Sequence, residues 1–201
     1  MASRYLETYF TPEVLAAQAH YYGKALFVPS LGEIDPLGEE EQEFIVRRDS
    51  FYMATVTSNG WPYMQHRGGP KGFLKVLDAE TLGFADFKGN RQMLTTGNLT
   101  ASDRVSLFLM DYPRKERLKI LGHARVLDAK DDKELADKLT PSPELREKVE
   151  RLFLIKVVSY DWNCPQYITP RYTEEEVRGL VAKLAERIKE LEDEVKMLKG
   201  K

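Results

Sequence analysis

Residues 51–66 read Phe51-Tyr52-Met53-Ala54-Thr55-Val56-Thr57, then Ser58-Asn59-Gly60, then Trp61-Pro62-Tyr63-Met64-Gln65-His66. The first run is rich in aromatic and β-branched residues and alternates with a period of two, the pattern of a half-buried strand. Asn-Gly between two such runs is the strongest short-range signal for a hairpin. Working outward, further strands are expected over Phe73–Leu77, Thr81–Ala85, Val105–Met110, Leu118–Val126 and Phe153–Tyr160. Six or seven short strands with turn-rich links suggest an antiparallel barrel.

Helices are expected around these strands. Thr11-Pro12-Glu13 combines an N-cap, a first-turn proline and an early acid before Val14. Asp35-Pro36 repeats that signal before Leu37, Phe44 and Ile45, which fall on one helical face. The link between them, from Phe27 to Ile34, contains Pro29 and Gly32 and reads as loop. A polar helical stretch from Asp131 to Glu150 is broken by Pro141 and Pro143. No internal repeat is found.

Composition narrows the function. The 201 residues suit one domain with appendages, large enough for a real core. A formal net charge of −2 argues against a general nucleic-acid surface. There is no long uncharged apolar run to span a membrane, and the N-terminal segment lacks the apolar core of a secretory signal. Cys164 is the only cysteine, which excludes an internal disulfide, and the three histidines lack metal-ligand spacing. No metal site is expected, and a cytoplasmic location fits these features.

Between His66 and Asn98 the residue types change again. Arg67, Lys71, Lys75, Lys88 and Arg91 supply positive charge, while Gly68, Gly69, Gly72, Gly89 and Gly97 allow close backbone approach. Asn90, Arg91 and Gln92 are expected to open a short helix, whose first amides would form an anion site. A phosphate-bearing ligand needs this combination. Arg67 can grip phosphate oxygens in a bidentate way, or it can form a surface salt bridge to Asp78 or Glu80. Arg91 and Gln92 fit phosphate contacts, or a capped surface helix with exposed charges. His66 fits a bond to a ligand or to a neighbouring carbonyl, and Asn98 a helix C-cap or turn.

The order of these residues, Arg-Gly-Gly-Pro-x-Gly-Phe-x-x-Val-Leu-Asp and then Gly-Asn-Arg-Gln and Gly-Asn-Leu, resembles the FMN-binding split-barrel family related to pyridoxamine 5′-phosphate oxidase. The resemblance runs from about Phe44 to Leu127, with an echo at Cys164–Ile168. It implies a split β-barrel with flanking helices, and the chain is then expected to divide into an N-terminal helical arm (1–43), the barrel (44–170) and a C-terminal coiled-coil helix (171–201). It further implies FMN as cofactor, held by Arg67, Gly68, Gly69, Lys75, Asp86, Lys88, Asn90, Arg91, Gln92 and Gln166, with the phosphate met by Arg67, Arg91, Gln92 and one of Lys71 and Lys75. The backbone of Asp86, Phe87 and Lys88 would run along the ribityl chain or ring edge. Gln166 would bond the ring and Cys164 would pack near it. The implied activity is a flavin oxidoreductase taking electrons from a reduced nicotinamide or small-molecule donor, with no catalytic residue assigned. Its rivals are a flavin- or haem-binding sensor or stress protein, and a pure interaction domain. The substrate motif of the oxidase proper, with a histidine after the barrel, has no counterpart beyond His123, so vitamin B6 oxidation is not expected.

The tail is a separate object. Val181, Leu184, Ile188, Leu191, Val195 and Leu198 alternate three and four apart. With Val181 at position a, β-branched residues fill every a and leucine every d, the preference of a parallel two-stranded coil. Arg187 would face Glu192, and Glu194 would face Lys199, of the partner. A single helix lying on its own barrel would show a wider apolar stripe. A homodimer is therefore expected, which the family resemblance also implies, with each flavin at the subunit interface.

Overall fold

In the computed structural model, residues 3–27, 34–162 and 165–199 are described. The expected loop around Pro29 and Gly32 and the reading of Cys164 lie outside them. The chain divides into two compact units. One comprises residues 1–111 with 116–165, the other residues 112–115 with 166–201.

The first unit holds helices α1 (Ser3–Tyr9), α2 (Pro12–Tyr22) and α3 (Glu39–Val46), then strands β1 (Ser50–Val56), β2 (Pro62–Gly68), β3 (Lys75–Asp78) and β4 (Thr81–Phe87). Helix α4 (Leu94–Ala101), strands β5 (Arg104–Asp111) and β6 (Glu116–Asp128), helix α5 (Lys133–Leu139), a 3-10 helix (Pro143–Lys148) and strand β7 (Val149–Trp162) follow. Thr11 caps α2 as expected, its hydroxyl oxygen accepting the Val14 N–H at 3.4 Å. Gly60 turns the β1–β2 hairpin at φ 88°.

Helix α3 does not begin at Asp35-Pro36. Asp35 instead accepts the Ser159 hydroxyl at 2.6 Å, and the helix opens at Gly38, whose N–H is bonded by the Glu41 carboxylate at 3.0 Å. Helix α1 has no counterpart in the sequence reading. The stretch from Asp131 to Glu150 holds two short helical pieces, one ending at Leu139 before Pro141 and the other opening at Pro143, so the prolines break it as expected.

The seven strands form one antiparallel sheet in the order β2-β1-β5-β6-β7-β4-β3. It is not closed, and β2 and β3 are its edges. Strands in a sheet lie about 4.8 Å apart, so β2 and β4 would stand over 20 Å apart if the sheet were flat. Arg67 on β2 nevertheless reaches Asp86 on β4 at 2.6 Å. The sheet must curl until its two margins face each other, and this ion pair spans the split that no backbone ladder closes.

Inside the curl lies an aromatic core. Phe84 stacks on Phe153 with centroids 4.7 Å apart, and Phe51 meets Phe84 edge-on at 5.5 Å and Phe73 face-on at 5.6 Å. Alternation on β1 drives this packing, with Phe51, Met53 and Thr55 inward and Tyr52 and Val56 exposed. Gly122 marks a bulge where β6 crosses β7 closely, and a Cβ there would sit 2.6 Å from the Lys156 carbonyl oxygen. Gly122→Ala is expected to lower stability by about 1–3 kcal/mol, the usual range for overpacking, read as a fall in the urea midpoint at unchanged slope.

The second unit contains α6 (Glu174–Lys199). Thr173 and Glu176 form a reciprocal capping box. The Glu176 carboxylate accepts the Thr173 N–H at 2.8 Å, and the Thr173 hydroxyl accepts the Glu176 N–H at 3.3 Å. Three glutamates open the helix and Lys196 and Lys199 close it, in the sense that favours the helix dipole. No helix among the described residues is long and apolar enough to cross a membrane.

Candidate functional site

Where β2 meets β4 and β7 across the split, three charged side chains converge. Asp86 accepts Arg67 Nη1 at 2.6 Å on one oxygen and Arg151 Nε and Nη2 at 2.9 and 2.8 Å on the other. Each is only 13–14% exposed. The strand ladder explains half of this, because Asp86 and Arg151 are register partners on β4 and β7. A bulge follows at Asp86/Phe87, a device that re-aims side chains beside functional sites.

The Arg67 guanidinium lies 5.0 Å over the Phe153 ring and 5.5 Å over Phe84. Burial pulls its pKa below the usual arginine value, against the pull of Asp86. For Arg151, burial acts in the same direction but is outweighed by Asp86 and Glu150, so its pKa is raised. Both stay charged at any working pH. The Arg67 Nε is buried without a hydrogen-bond partner.

These groups form one wall of a cleft of about 200 Å³. The opposite wall is the segment from Gly89 to Thr96, including Asn90, Arg91 and Gln92. Here the expected helix start is corrected. The Asn90 side-chain oxygen accepts the Gln92 N–H at 3.1 Å, and Arg91 and Met93 adopt left-handed backbone at φ 62° and 54°. Helix α4 therefore begins only at Leu94. Left-handed conformations cost non-glycine residues about 1–3 kcal/mol each and cluster at ligand sites. The first turn of α4 still presents the free amides expected of a helix start.

Two side-chain bonds seat α4 on the sheet. Thr95 donates its hydroxyl to Gln65 Oε1 at 2.7 Å, and Asn98 donates to the Thr55 hydroxyl at 2.9 Å. Asn98 is thus a buried anchor inside the helix, not a C-cap.

The cleft brings together Arg67, Asp86, Gly89, Asn90, Arg91 and Gln92. Other residues named from the sequence lie elsewhere. Gly68 and Gly69 follow Arg67 but do not line the cleft, and the Gly69 N–H is taken by the Asp49 carbonyl at 2.8 Å. The smallness of Gly69 serves packing, since a Cβ there would meet the Phe73 ring at 2.7 Å. Lys75 sits half-buried at the start of β3, while Lys71 and Lys88 are exposed outside the lining. His66 points to the other face of β2 and packs its ring edge-on to Tyr52 at 5.5 Å. Gln166 belongs to the second unit and is exposed. The partner of Arg67 is neither Asp78 nor Glu80 but Asp86.

Arg151, Tyr63, Gln65 and Thr95 were missed from the sequence. The alternation Tyr63-Gln65-Arg67 along β2 was a usable signal, since it puts all three on one face of that strand. Arg151 had none, because its position depends on the pairing of strands 65 residues apart.

A split, curled antiparallel sheet with an arginine-lined cleft at its seam defines the class of protein. A family model described as pyridoxamine 5′-phosphate oxidase matches residues 37–152, more than half of the chain, and the chain belongs to that family. No curated protein matches it significantly. Similar solved structures include HupZ of Group A Streptococcus (14% identity, covering 68% of this chain and 99% of that one, TM-score 0.49). A Clostridium acetobutylicum protein related to general stress protein 26, of the pyridoxinephosphate oxidase family, has 13% identity, 62% and 85% coverage and TM-score 0.48. An FMN-binding protein of Syntrophomonas wolfei has 12% identity, 62% and 85% coverage and TM-score 0.44.

Proposed function

We propose that the cleft at the seam binds the phosphate end of FMN and that the chain is a flavoprotein oxidoreductase. The observation that carries this reading is charge. Among the lining residues Arg67, Arg91 and Arg151 stand against the single carboxylate of Asp86, a formal surplus of two positive charges, and Glu150, outside the lining, also pairs with Arg151. A phosphate monoester carries nearly two negative charges at neutral pH. Arg67 holds a buried, unpartnered Nε, and the first turn of α4 adds backbone donors. The donor set fits a phosphate.

The cleft's volume, about 200 Å³, is below the roughly 300–1,000 Å³ of sites that bury a whole drug-sized ligand. It suits one end of a flavin, and a second copy of the chain would complete the site. The outer face of the β1–β2 hairpin supports that, since it leaves Tyr52, Val56, Trp61 and Met64 exposed for another subunit to cover.

When bound, the flavin supplies hydride and electron transfer between a reduced nicotinamide or similar small donor and an acceptor. The protein's part is to bind and orient. Asp86 fixes the planes of Arg67 and Arg151 while limiting their net charge. Asp86 is the sole carboxylate in the lining, and both its oxygens are held in ion pairs, so the described residues of the cleft offer no free proton-transfer carboxylate.

An absorption spectrum of the purified protein, with mass spectrometry of the compound that heat releases, tests this directly. Flavin bands and the mass of FMN are expected. Reduction by NADH or NADPH with a dye acceptor then separates an enzyme from a flavin-binding sensor. A colourless protein that also fails to take up added FMN overturns the reading.

A further inference from the structure

Six side chains on α6 have no cover. Val181, Leu184, Ile188, Leu191, Val195 and Leu198 are between 43% and 74% exposed. They alternate three and four apart, two seam positions per seven residues, the period of 3.5 that makes two helices supercoil left-handedly with one continuous seam. We propose that α6 pairs in parallel, and in register, with α6 of a second copy of this chain.

The choice of partner and direction follows from charge. In a parallel pair each g position faces the e position five residues on in the other helix. Arg187 then meets Glu192 of the partner subunit, and Glu194 meets Lys199 of the partner subunit. Two-fold symmetry makes four attractive contacts, and the remaining pair, Leu180 with Ala185, is apolar. Running the helices antiparallel with all six seam positions matched brings g to g and e to e instead. Arg187 then meets Glu194 twice, but Arg178 meets Lys199 twice, and attraction cancels repulsion. Seam composition agrees, with Val or Ile at every a and Leu at every d. The pattern is complete within one chain, so a second copy satisfies it without another partner.

The helix is 26 residues, about 39 Å at 1.5 Å per residue, and its seam covers three heptads. Such a coil is marginal alone, and gains from any second contact that raises the local concentration of one tail near the other. Within the chain Arg187 already bonds Glu190 at 2.8 Å, an exposed pair worth little and easily exchanged.

Disulfide trapping in the full chain tests both partner and direction. Cys164→Ser removes the single native thiol. In that background Val181→Cys and Leu198→Cys are made separately and oxidised mildly at micromolar concentration. Each variant alone is expected to convert mostly to a covalent dimer, since like positions face each other along a parallel seam. Co-expressed with different tags, the two variants should give no 181-to-198 heterodimer. A dominant heterodimer overturns the parallel direction, and no cross-link in either variant or in the mixture overturns the pairing. Two positions at opposite ends of α6 guard against a local defect. A chain without flavin would still cross-link, so this result stands apart from the cofactor reading.

Discussion

Arg67→Ala is expected to weaken FMN binding by about 100-fold while changing riboflavin binding far less. One charge-assisted contact to a phosphate is worth about 3 kcal/mol when both groups are withdrawn from water, and every 1.4 kcal/mol is tenfold in affinity. Arg67 meets that condition, being 13% exposed and roofed by Phe84 and Phe153. Arg91 does not, for it lies exposed on the rim of the same cleft, and its loss should cost tenfold at most. The fold should survive, because Asp86 keeps both of its contacts with Arg151. Riboflavin lacks the phosphate and so reports the rest of the site. Fluorescence titration with both flavins measures the difference, and equal losses for the two would move Arg67 away from the phosphate. Arg67→Lys should recover only part of the affinity, since an ammonium cannot offer two parallel donors.

The parts of the molecule legible in the sequence are those set by neighbours in the chain. The β1–β2 hairpin follows from strand-like alternation on both sides of Asn59-Gly60, and α2 from the Thr11-Pro12 start. The heptad on α6 is equally local. A local signal fails where a distant group competes for the same side chain. Asp35 has the form of an N-cap, but Ser159 claims its carboxylate from β7. Asn98 has the form of a helix end, but the Thr55 hydroxyl holds it inside α4. At the cleft, Arg67, Asp86, Asn90, Arg91 and Gln92 were readable as a group through the family motif. Arg151 was not, because cross-strand register and the curl that brings β2 to β4 are properties of the whole sheet. Gly89 does line the cleft, whereas Gly69 is small because Phe73 needs the space.

Asp86→Ala should lower stability by about 3–5 kcal/mol, the cost of leaving buried charges without their partner. Arg67 and Arg151 would then share the seam with no carboxylate between them, although Arg151 keeps Glu150 at 2.9 Å. The formal surplus in the cleft rises from two to three positive charges, so the same change that weakens the fold should strengthen anion binding. Inorganic phosphate bound at the cleft would stabilise the native state by mass action, and it should raise the urea midpoint of the variant more than that of the wild type. A second buried pair supplies the control. Arg48 Nη2 bonds Asp111 at 2.6 Å, and neither residue lines the cleft. Asp111→Ala should therefore lose stability to a similar degree, with no added response to phosphate. Rescue of Asp86→Ala alone identifies the Arg67–Arg151 seam as an anion site whose charge Asp86 holds in check. Equal behaviour of the two variants would reduce Asp86 to an ordinary structural partner.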